Sequence, residues 1–169
     1  MKIIGVNTTG IEIVMKKISG ERTKPEVDYG AYWDGEEGEY TLVDKAGNKL
    51  TKETFANVSS FDEGLSGVER QKDEGAKWGF IDPNGIFPFK PIYDMVQLFA
   101  NGLAAVQLKG KWGYIDKTGK QVIPFKYDSV TRFDLNVKGQ AQVKYDGKWF
   151  YIDKEGGFVK NSGTPDGWK

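Results

Sequence analysis

Short runs of alternating apolar and polar residues, separated by links that contain glycine, recur along the chain. "LAAVQL" from Leu103 leads through "KG" to "KWGYID", and "AQVKY" from Ala141 leads through "DG" to "KWFYID". Alternation with a period of two is typical of β-strands, and a short glycine link is typical of a hairpin turn. The pattern predicts an all-β fold. Four hairpin tips are expected, at residues 109–110 and 146–147 and at the equivalent positions near 70–75 and 34–38.

These hairpins belong to one repeated unit. Each "WGYID"-like run ends in an aspartate, and the four aspartates are 38, 34 and 37 residues apart: Asp44, Asp82, Asp116 and Asp153. Three downstream positions keep the same register, namely an aromatic residue (Phe55, Tyr93, Tyr127), a phenylalanine (Phe61, Phe99, Phe133) and a glycine (Gly64, Gly102, Gly139). A unit of this size cannot bury its apolar face alone, so the repetition predicts stacked units that complete each other's core.

The run "KWGYIDKTGKQVIPFKYDSV" from Lys111, together with its near copy from Lys77, resembles the WG repeat (WG β-repeat) family of bacterial proteins. The resemblance covers residues 39–159. The Trp-Gly pair is lost at Tyr40 and at Phe150, so the outer units are expected to be caps. The resemblance implies an array of stacked antiparallel β-hairpin repeats with about 34–38 residues per unit. A small propeller-like or barrel-like closure of the same units is the alternative.

The repeat register divides the chain into three parts. Residues 1–38 are expected to form an N-terminal hairpin and cap, because "KIIGVN" and "IEIVMKK" flank "TTG". Residues 39–160 hold the repeats, which are 39–76, 77–110, 111–147 and the partial unit 148–160. Residues 161–169 are expected to be a C-terminal tail.

Aromatic residues that recur once per unit have two interpretations. They can pack the same interior position of every unit, because large aromatic side chains dominate core energetics, or they can form a row that stacks on a ligand. We favour the interior interpretation. The predicted core residues are Trp78, Trp112, Trp149, Tyr93, Tyr127, Phe99 and Phe133.

The aspartate after each tryptophan run is followed three residues later by glycine, as in "DPNG" and "DKTG". Asp first and Gly fourth is the signature of a type I turn, and the Asp side chain commonly binds its own backbone there. A calcium loop needs several oxygen ligands within a few residues, and "DKTG" offers one acid and one threonine. A turn role is therefore predicted.

Composition narrows the possible chemistry. The 169 residues include no cysteine and no histidine, which removes thiolate nucleophiles, imidazole bases and the usual zinc ligands. The 24 basic and 24 acidic residues give a formal net charge of zero, so no overall field favours nucleic acid or an anionic membrane. We expect no enzyme activity, cofactor, metal, nucleic-acid partner or membrane partner, and a cytoplasmic location. A hydrolase that works with carboxylates alone stays open.

The predicted function is a non-enzymatic β-repeat module that mediates protein–protein interaction or scaffolding, which the resemblance also implies. Positions where the copies disagree are expected to serve the partner, above all the insertions 70–74 and 135–137. The predicted partner-binding residues are Arg70, Lys72, Arg132, Leu135, Asn136 and Tyr145. A lysine stripe is a further candidate surface, formed by Lys77, Lys90, Lys109, Lys111, Lys126 and Lys148. The alternative function is a carbohydrate or cell-wall binding module, because "DGKWFYIDKEGGFVKNSG" also resembles choline- and glucan-binding repeats.

Overall fold

The computed structural model describes residues 5–6, 12–19, 39–44, 48–70 and 76–159. Within these ranges the fold is all β, with three antiparallel sheets, no helix and no closed barrel. The predicted array of antiparallel hairpins is confirmed, and the described ranges show no barrel-like closure. None of the described segments is a helix that could cross a membrane. The chain divides into two compact units, Met1–Tyr93 and Asp94–Lys169.

The first unit holds a six-stranded sheet in which strands adjacent along the chain are also adjacent in the sheet. Its strands are β1 (Gly5–Val6), β2 (Glu12–Ser19), β3 (Glu39–Asp44), β4 (Phe55–Asp62), β5 (Leu65–Arg70) and β6 (Trp78–Ile81). β1 and β2 form the antiparallel pair that the N-terminal pattern predicts. Because β2 also pairs with β3, one sheet joins the expected N-terminal cap to the first repeat.

Two of the predicted hairpin tips fall in this unit. The tip at 34–38 lies outside the described residues, and so do residues 71–75 of the other tip. The hairpin around 71–75 is present, because β5 and β6 pair antiparallel and the Arg70 N–H donates to the Lys77 carbonyl oxygen at 3.0 Å.

The second unit holds the other two sheets. A four-stranded sheet contains β7 (Met95–Val96), β8 (Leu103–Leu108), β9 (Lys111–Asp116) and β10 (Gln121–Tyr127), in the order β10-β9-β8-β7. A three-stranded sheet contains β11 (Ser129–Val130), β12 (Ala141–Tyr145) and β13 (Lys148–Ile152), in chain order. β8–β9 and β12–β13 are the hairpins that the alternating pattern predicts.

The tips of these two hairpins lie where the sequence predicts them. Lys109 and Gly110 have φ angles of 53° and 76°, and Asp146 and Gly147 have φ angles of 47° and 73°. Positive φ at both central residues is the type I′ geometry, whose twist matches that of the flanking strands. Glycine is needed at the second position because it adopts positive φ without steric cost.

A second set of turns, one per unit, was not predicted from the sequence. Glu63 and Gly64 join β4 to β5, and Asn101 and Gly102 precede β8, with positive φ at all four residues. The third copy keeps Asp134 and Gly139 at positive φ and places the inserted residues 135–137 between them. The insertion therefore enlarges a turn that is two residues long in the other copies.

The repeated aspartates form turns, as predicted. Asp116 Oδ1 accepts hydrogen bonds from Thr118 N at 2.9 Å, Thr118 Oγ1 at 2.6 Å and Lys120 N at 3.1 Å. The Gly119 N–H donates to the Asp116 carbonyl oxygen at 3.0 Å, which closes the turn. The carboxylates of Asp82 and Asp153 accept the equivalent backbone N–H groups. The side chain of Asp44 lies outside the described residues.

After each described turn the chain returns along the strand that carries the tryptophan position. β10 and the corresponding segments 49–55 and 87–93 are called return segments below. They place an aromatic residue opposite the tryptophan position in three units, as the pairs Tyr40 with Phe55, Trp78 with Tyr93 and Trp112 with Tyr127. At Trp78 the pairing uses both backbone bonds, with N···O distances of 2.8 and 3.1 Å.

The close return explains the glycine after the tryptophan. A Cβ atom on Gly113 would lie 2.6 Å from the Ile123 carbonyl oxygen, and one on Gly79 would lie 2.5 Å from Pro91 Cβ. Both distances are far below van der Waals contact, so only glycine lets the return segment lie this close. The Trp-Gly pair of the repeat is therefore a packing requirement.

The two sheets of the second unit share one core. The Trp112 and Tyr114 side chains of β9 lie in the same buried cluster as Val143 of β12 and Phe150 of β13. The Tyr114 ring contacts the Phe133 ring at a centroid distance of 5.0 Å, and its hydroxyl donates to the Thr131 carbonyl oxygen at 2.8 Å. Each sheet therefore completes the core of its neighbour, as the repetition predicts.

Candidate functional site

Trp149 is exposed, unlike the other tryptophan that the structure describes in the second unit. Its side chain is 48% exposed, whereas Trp112, at the same position one repeat earlier, is 8% exposed. The prediction of a core position is wrong for Trp149. Two sequence differences accompany the change: Phe150 stands where the earlier copy has Gly113, and the residue fifteen positions after Trp149 is threonine instead of an aromatic.

The β11–β13 sheet has two faces of different character. Its inner face carries the side chains that join the shared core, namely Val130, Ala141, Val143, Phe150 and Ile152. Side chains alternate along a strand, and the register places Gln142 opposite Tyr151 and Lys144 opposite Trp149. The outer face is defined by Ser129, Gln142, Lys144, Trp149 and Tyr151, which are all at least partly exposed.

A chain of hydrogen bonds orients the polar part of the outer face. Asn136 Nδ2 donates to Gln142 Oε1 at 2.9 Å, and Gln142 Nε2 donates to the Tyr151 hydroxyl at 2.9 Å. The Gln142 backbone is fixed as well, since its N–H donates to Thr131 Oγ1 at 2.9 Å. These bonds hold an amide and a phenol beside the exposed Trp149 ring.

One repeat earlier, the β8–β9 hairpin has an equivalent face. That face carries apolar side chains at positions where the outer face carries polar ones. In β8 the positions that match residues 140, 142 and 144 are Leu103, Ala105 and Gln107. Leu103 and Ala105 are buried in the shared core. In the last sheet, glutamine replaces both of them while the two aromatic positions are kept, as Trp149 and Tyr151. This face suits contact with water or with a polar ligand that also has an apolar surface.

The predicted partner-binding residues do not form one site. Arg70, in the first unit, is held by the fold: its Nε lies 3.3 Å from Glu53 Oε2, and its guanidinium lies 6.0 Å from the centre of the Phe87 ring. Lys72 lies outside the described residues.

The remaining four residues of that prediction lie in the second unit. Arg132 follows β11, and Leu135 is 40% exposed in the enlarged turn. Tyr145 ends β12, where its ring contacts the Tyr127 ring edge-on at 6.3 Å and packs against the shared core. Only Asn136 reaches the outer face, through its bond to Gln142.

The other predicted core residues differ in burial. Trp78 is half-buried. The fully or nearly fully buried ones are Trp112, Tyr93, Tyr127, Phe99 and Phe133. Sequence reasoning missed Gln142, Lys144 and Tyr151, although their alternation with buried neighbours is visible in "AQVKY" and "KWFYI".

Two lysines of the predicted stripe interact within the second unit. Lys111 Nζ lies 2.6 Å from Asp128 Oδ1, and both side chains are well exposed. Lys126 Nζ lies 5.3 Å from the centre of the Tyr127 ring, and burial lowers the pKa of Lys126. Exposed ion pairs of this kind contribute little to stability.

Buried tyrosines near the shared core stay neutral at physiological pH. Burial, followed by the charge of Tyr145, raises the pKa of Tyr127 to about 12. Burial also raises the pKa of Tyr114 well above its usual value, with a smaller contribution from Tyr127. Both phenol groups therefore stay protonated at physiological pH.

The chain was compared with known families, curated proteins and solved structures. The profile of the WG containing repeat matches it twice, at residues 78–112 and 112–149. Each match begins at one tryptophan and ends at the next, so it spans one Asp turn, one return segment and the following hairpin. The searches of curated proteins and of solved structures gave no match. Residues 78–149 are therefore two tandem repeats of the WG family.

Proposed function

We propose that the protein is a non-enzymatic β-repeat module that binds another protein, and that the outer face and the adjoining turn 134–139 form the contact surface. The observation that carries this proposal is the 48% exposure of Trp149, at a position that is 8% exposed one repeat earlier. Tryptophan and tyrosine are among the side chains that most often dominate binding energy at protein interfaces.

The composition of the surface supports the same proposal. Trp149 and Tyr151 supply two large rings with few rotatable bonds, and Asn136, Gln142 and Ser129 supply adaptable hydrogen-bonding groups. Antibody paratopes combine the same two kinds of side chain for binding proteins.

The enlarged turn extends this surface with apolar side chains. Leu135 is 40% exposed and Val137 is 39% exposed, and both belong to the three-residue insertion that the other copies lack. An insertion that only lengthened a solvated loop would gain nothing from two exposed aliphatic residues. A partner that contacts Trp149 can also bury them.

A carbohydrate ligand is the second candidate, favoured by one observation. Asn136, Gln142 and Tyr151 form a continuous hydrogen-bonded chain beside the exposed Trp149 ring. A sugar places C–H groups against an aromatic ring while its hydroxyls bond amides and phenols at the edge.

The test uses a photoreactive benzoylphenylalanine at position 149, with a matched probe at position 122. Val122 is 39% exposed on β10 and lies outside the outer face. In lysate of the source cells, we expect a cross-linked protein from position 149 that is absent from position 122. The identified protein, once purified, should bind the native chain and bind Trp149→Ala at least about tenfold more weakly.

Two results would contradict the proposal. One is equal binding of the purified partner by the native chain and by a folded Trp149→Ala variant. The other is retention of the native chain on insoluble polysaccharide, lost in Trp149→Ala, with no cross-linked protein. The second result would favour the carbohydrate function instead.

A further inference from the structure

We propose that Asn101 is a modification site, at which the chain converts the asparagine to aspartate or isoaspartate through a succinimide ring, and that Lys154 activates the attacking backbone amide. The inference is independent of the proposed function, since neither residue belongs to the outer face or to the turn 134–139. Three features carry it: the sequence of the turn, the space around it and the position of the lysine.

The chain contains two Asn-Gly pairs, Asn84-Gly85 and Asn101-Gly102. The backbone nitrogen after an asparagine can attack the side-chain amide carbon, because both groups are held in one chain and a five-membered ring forms. Glycine at the second position favours this attack, since it has no side chain to hinder it and leaves the backbone free to rotate. Because both pairs have glycine there, any large difference in their reactivity has to come from the fold.

The fold holds the first pair inside an Asp turn. Asn84 N donates to Asp82 Oδ1 at 2.9 Å, and Asn84 Nδ2 donates to Asp82 Oδ2 at 3.3 Å. The Gly85 N–H, which would have to attack, donates to the Asp82 carbonyl oxygen at 3.0 Å. A Cβ atom on Gly85 would lie 3.0 Å from Thr51 Cβ, so the turn is packed against a neighbouring segment. Attack at this pair requires these bonds to open first.

The second pair forms an exposed two-residue turn before β8. Asn101 and Gly102 have φ angles of 55° and 81°, between the paired residues Ala100 and Leu103. Among the described residues, no hydrogen bond holds the Asn101 side chain, which is exposed. A Cβ atom on Gly102 would have no heavy atom within 4 Å apart from its chain neighbours. The asparagine side chain therefore has room to turn towards the Gly102 nitrogen.

Lys154 supplies the activating charge. Its Nζ donates to the Asn101 carbonyl oxygen at 3.2 Å. That carbonyl and the Gly102 N–H belong to one peptide group, so loss of the amide proton places negative charge on this oxygen. An ammonium group beside the oxygen stabilises the anion, as donors aimed at developing charge do in active sites. Lys154 lies in the last Asp turn, so the fold brings it to Asn101 from a distant part of the sequence.

The reaction needs only water as a reagent. Solvent removes the proton from the Gly102 nitrogen, and this nitrogen forms a bond to Asn101 Cγ. The Cγ–Nδ2 bond breaks, and Nδ2 takes a proton from solvent and leaves as ammonia. Water then opens the ring, with attack at Cγ giving aspartate and attack at the main-chain carbonyl carbon giving isoaspartate. No group is oxidised or reduced.

Either product changes this turn of the second unit. Aspartate adds a carboxylate near the Lys154 ammonium, and unlike charges at close range attract. Isoaspartate adds one atom to the backbone of a two-residue turn, which disturbs the bonds of 2.8 and 3.2 Å between Ala100 and Leu103. The modification therefore records the age of the chain as a change of charge or of turn geometry.

The experiment incubates the full chain at mildly alkaline pH in water enriched in heavy oxygen, and locates the label by mass spectrometry of proteolytic fragments. Heavy oxygen marks only the asparagines that react during the incubation. We expect residue 101 to be labelled at least about tenfold faster than residue 84, because the bonds of the Asp turn protect the latter. In guanidinium chloride, which unfolds the chain, the two residues should be labelled at similar rates.

Three variants test the lysine, with circular dichroism to check that each one folds. Lys154→Leu should slow the labelling of residue 101 by about three- to tenfold, because it removes a charged hydrogen-bond donor. Lys154→Arg keeps such a donor and should stay within about twofold of the native rate. Lys117→Leu is the matched control, since Lys117 has the same place in the preceding Asp turn, and should react like the native chain.

Three results would overturn the inference. Equal labelling of residues 101 and 84 in the folded chain would remove the site. A faster reaction at residue 101 that persists in guanidinium chloride would show that the sequence, and not the fold, causes it. An unchanged rate in folded Lys154→Leu would exclude activation by the lysine. The first two comparisons use the native chain and do not depend on any variant.

Discussion

The hairpins β8–β9 and β12–β13 have the same register, the same type I′ turn and the same tryptophan, yet they use that tryptophan differently. Trp112 is covered by the neighbouring sheet and faces Tyr127 of its return segment. Trp149 is 48% exposed and is followed by Phe150, whose side chain fills the shared core on the opposite face. Whether a repeated residue is buried therefore depends on what packs against its unit, and the motif alone does not decide it.

The difference also shows that one copy of the repeat can expose a tryptophan that another copy buries, although the two copies differ at few positions. Glycine becomes Phe150, alanine becomes Gln142, and the aromatic position of the return segment becomes threonine. Of these changes, Gln142 adds a polar group on the face that carries Trp149. The backbone of the hairpin is unchanged, so the rings stay presented at strand spacing.

The largest expected effect is at the buried tryptophan. Trp112→Ala should lower the free energy of unfolding by about 3–5 kcal/mol, the usual cost of emptying a large aromatic site in a core. Chemical denaturation followed by circular dichroism measures it. A loss below about 1 kcal/mol would mean that Trp112 does not support the shared core, and the contrast with Trp149 would disappear.

The next largest effect is expected where a return segment lies close to the glycine of the Trp-Gly pair. Gly113→Ala should lower the free energy of unfolding by about 1–3 kcal/mol, because the new Cβ would lie 2.6 Å from the Ile123 carbonyl oxygen and β10 would have to move. Gly79→Ala should lower the free energy of unfolding in the same way, because the new Cβ would lie 2.5 Å from Pro91 Cβ in the first unit. The same denaturation assay applies, and unchanged stability in both variants would show that the Trp-Gly pair has another origin.

A pH-dependent effect is expected at the turn of Asp116. The Thr118 hydroxyl, helped by the N–H groups of Thr118 and Lys120, holds the pKa of Asp116 below its usual value. A lowered pKa stabilises the fold above the ordinary aspartate pKa of about 3.9, and this contribution is lost as the pH falls through the folded pKa.

Thr118→Val removes the hydroxyl and nearly conserves the shape, so the pKa of Asp116 should rise towards its ordinary value. The loss of stability as the pH falls below the ordinary aspartate pKa of about 3.9 should then become smaller. Carboxyl carbon NMR titration measures the pKa, and acid denaturation measures the stability. An unchanged pKa in the variant would show that the backbone donors alone set it.

The smallest expected effect on stability is at the exposed tryptophan. Trp149→Ala should change the free energy of unfolding by no more than about 0.5 kcal/mol, as is usual for surface positions. The assay is the one used for Trp112→Ala, so the two variants form a matched pair. A loss of about 3 kcal/mol or more would place Trp149 in the core and remove the basis of the proposed binding surface.

Features that depend on a few adjacent residues could be predicted from the sequence. The tips at 109–110 and 146–147 need only glycine and two alternating runs, and the Asp turn needs only Asp116 and Gly119 at their fixed spacing. The WG repeats could be recognised from the sequence for the same reason, because they rest on residues that recur in the same order in each copy.

Features that depend on distant segments could not be predicted in the same way. The turn at Glu63 was missed because glutamate gives no signal for positive φ, and only the pairing of β4 with β5 imposes it. The exposure of Trp149 was missed because the repeat suggests burial wherever it occurs. The visible difference in this unit is that Phe150 replaces the glycine of the Trp-Gly pair.

The shared core has a consequence for synthesis of the chain. The face that carries Trp112 and Tyr114 is complete in sequence at Asp116, but its cover ends at Ile152, about 36 residues later. At about 5–20 residues per second, a ribosome needs roughly 2–7 seconds to add them. The strands that cover these two rings are therefore made seconds after the rings themselves. Chaperone capture or misassociation during translation would act on these rings before the second unit is complete.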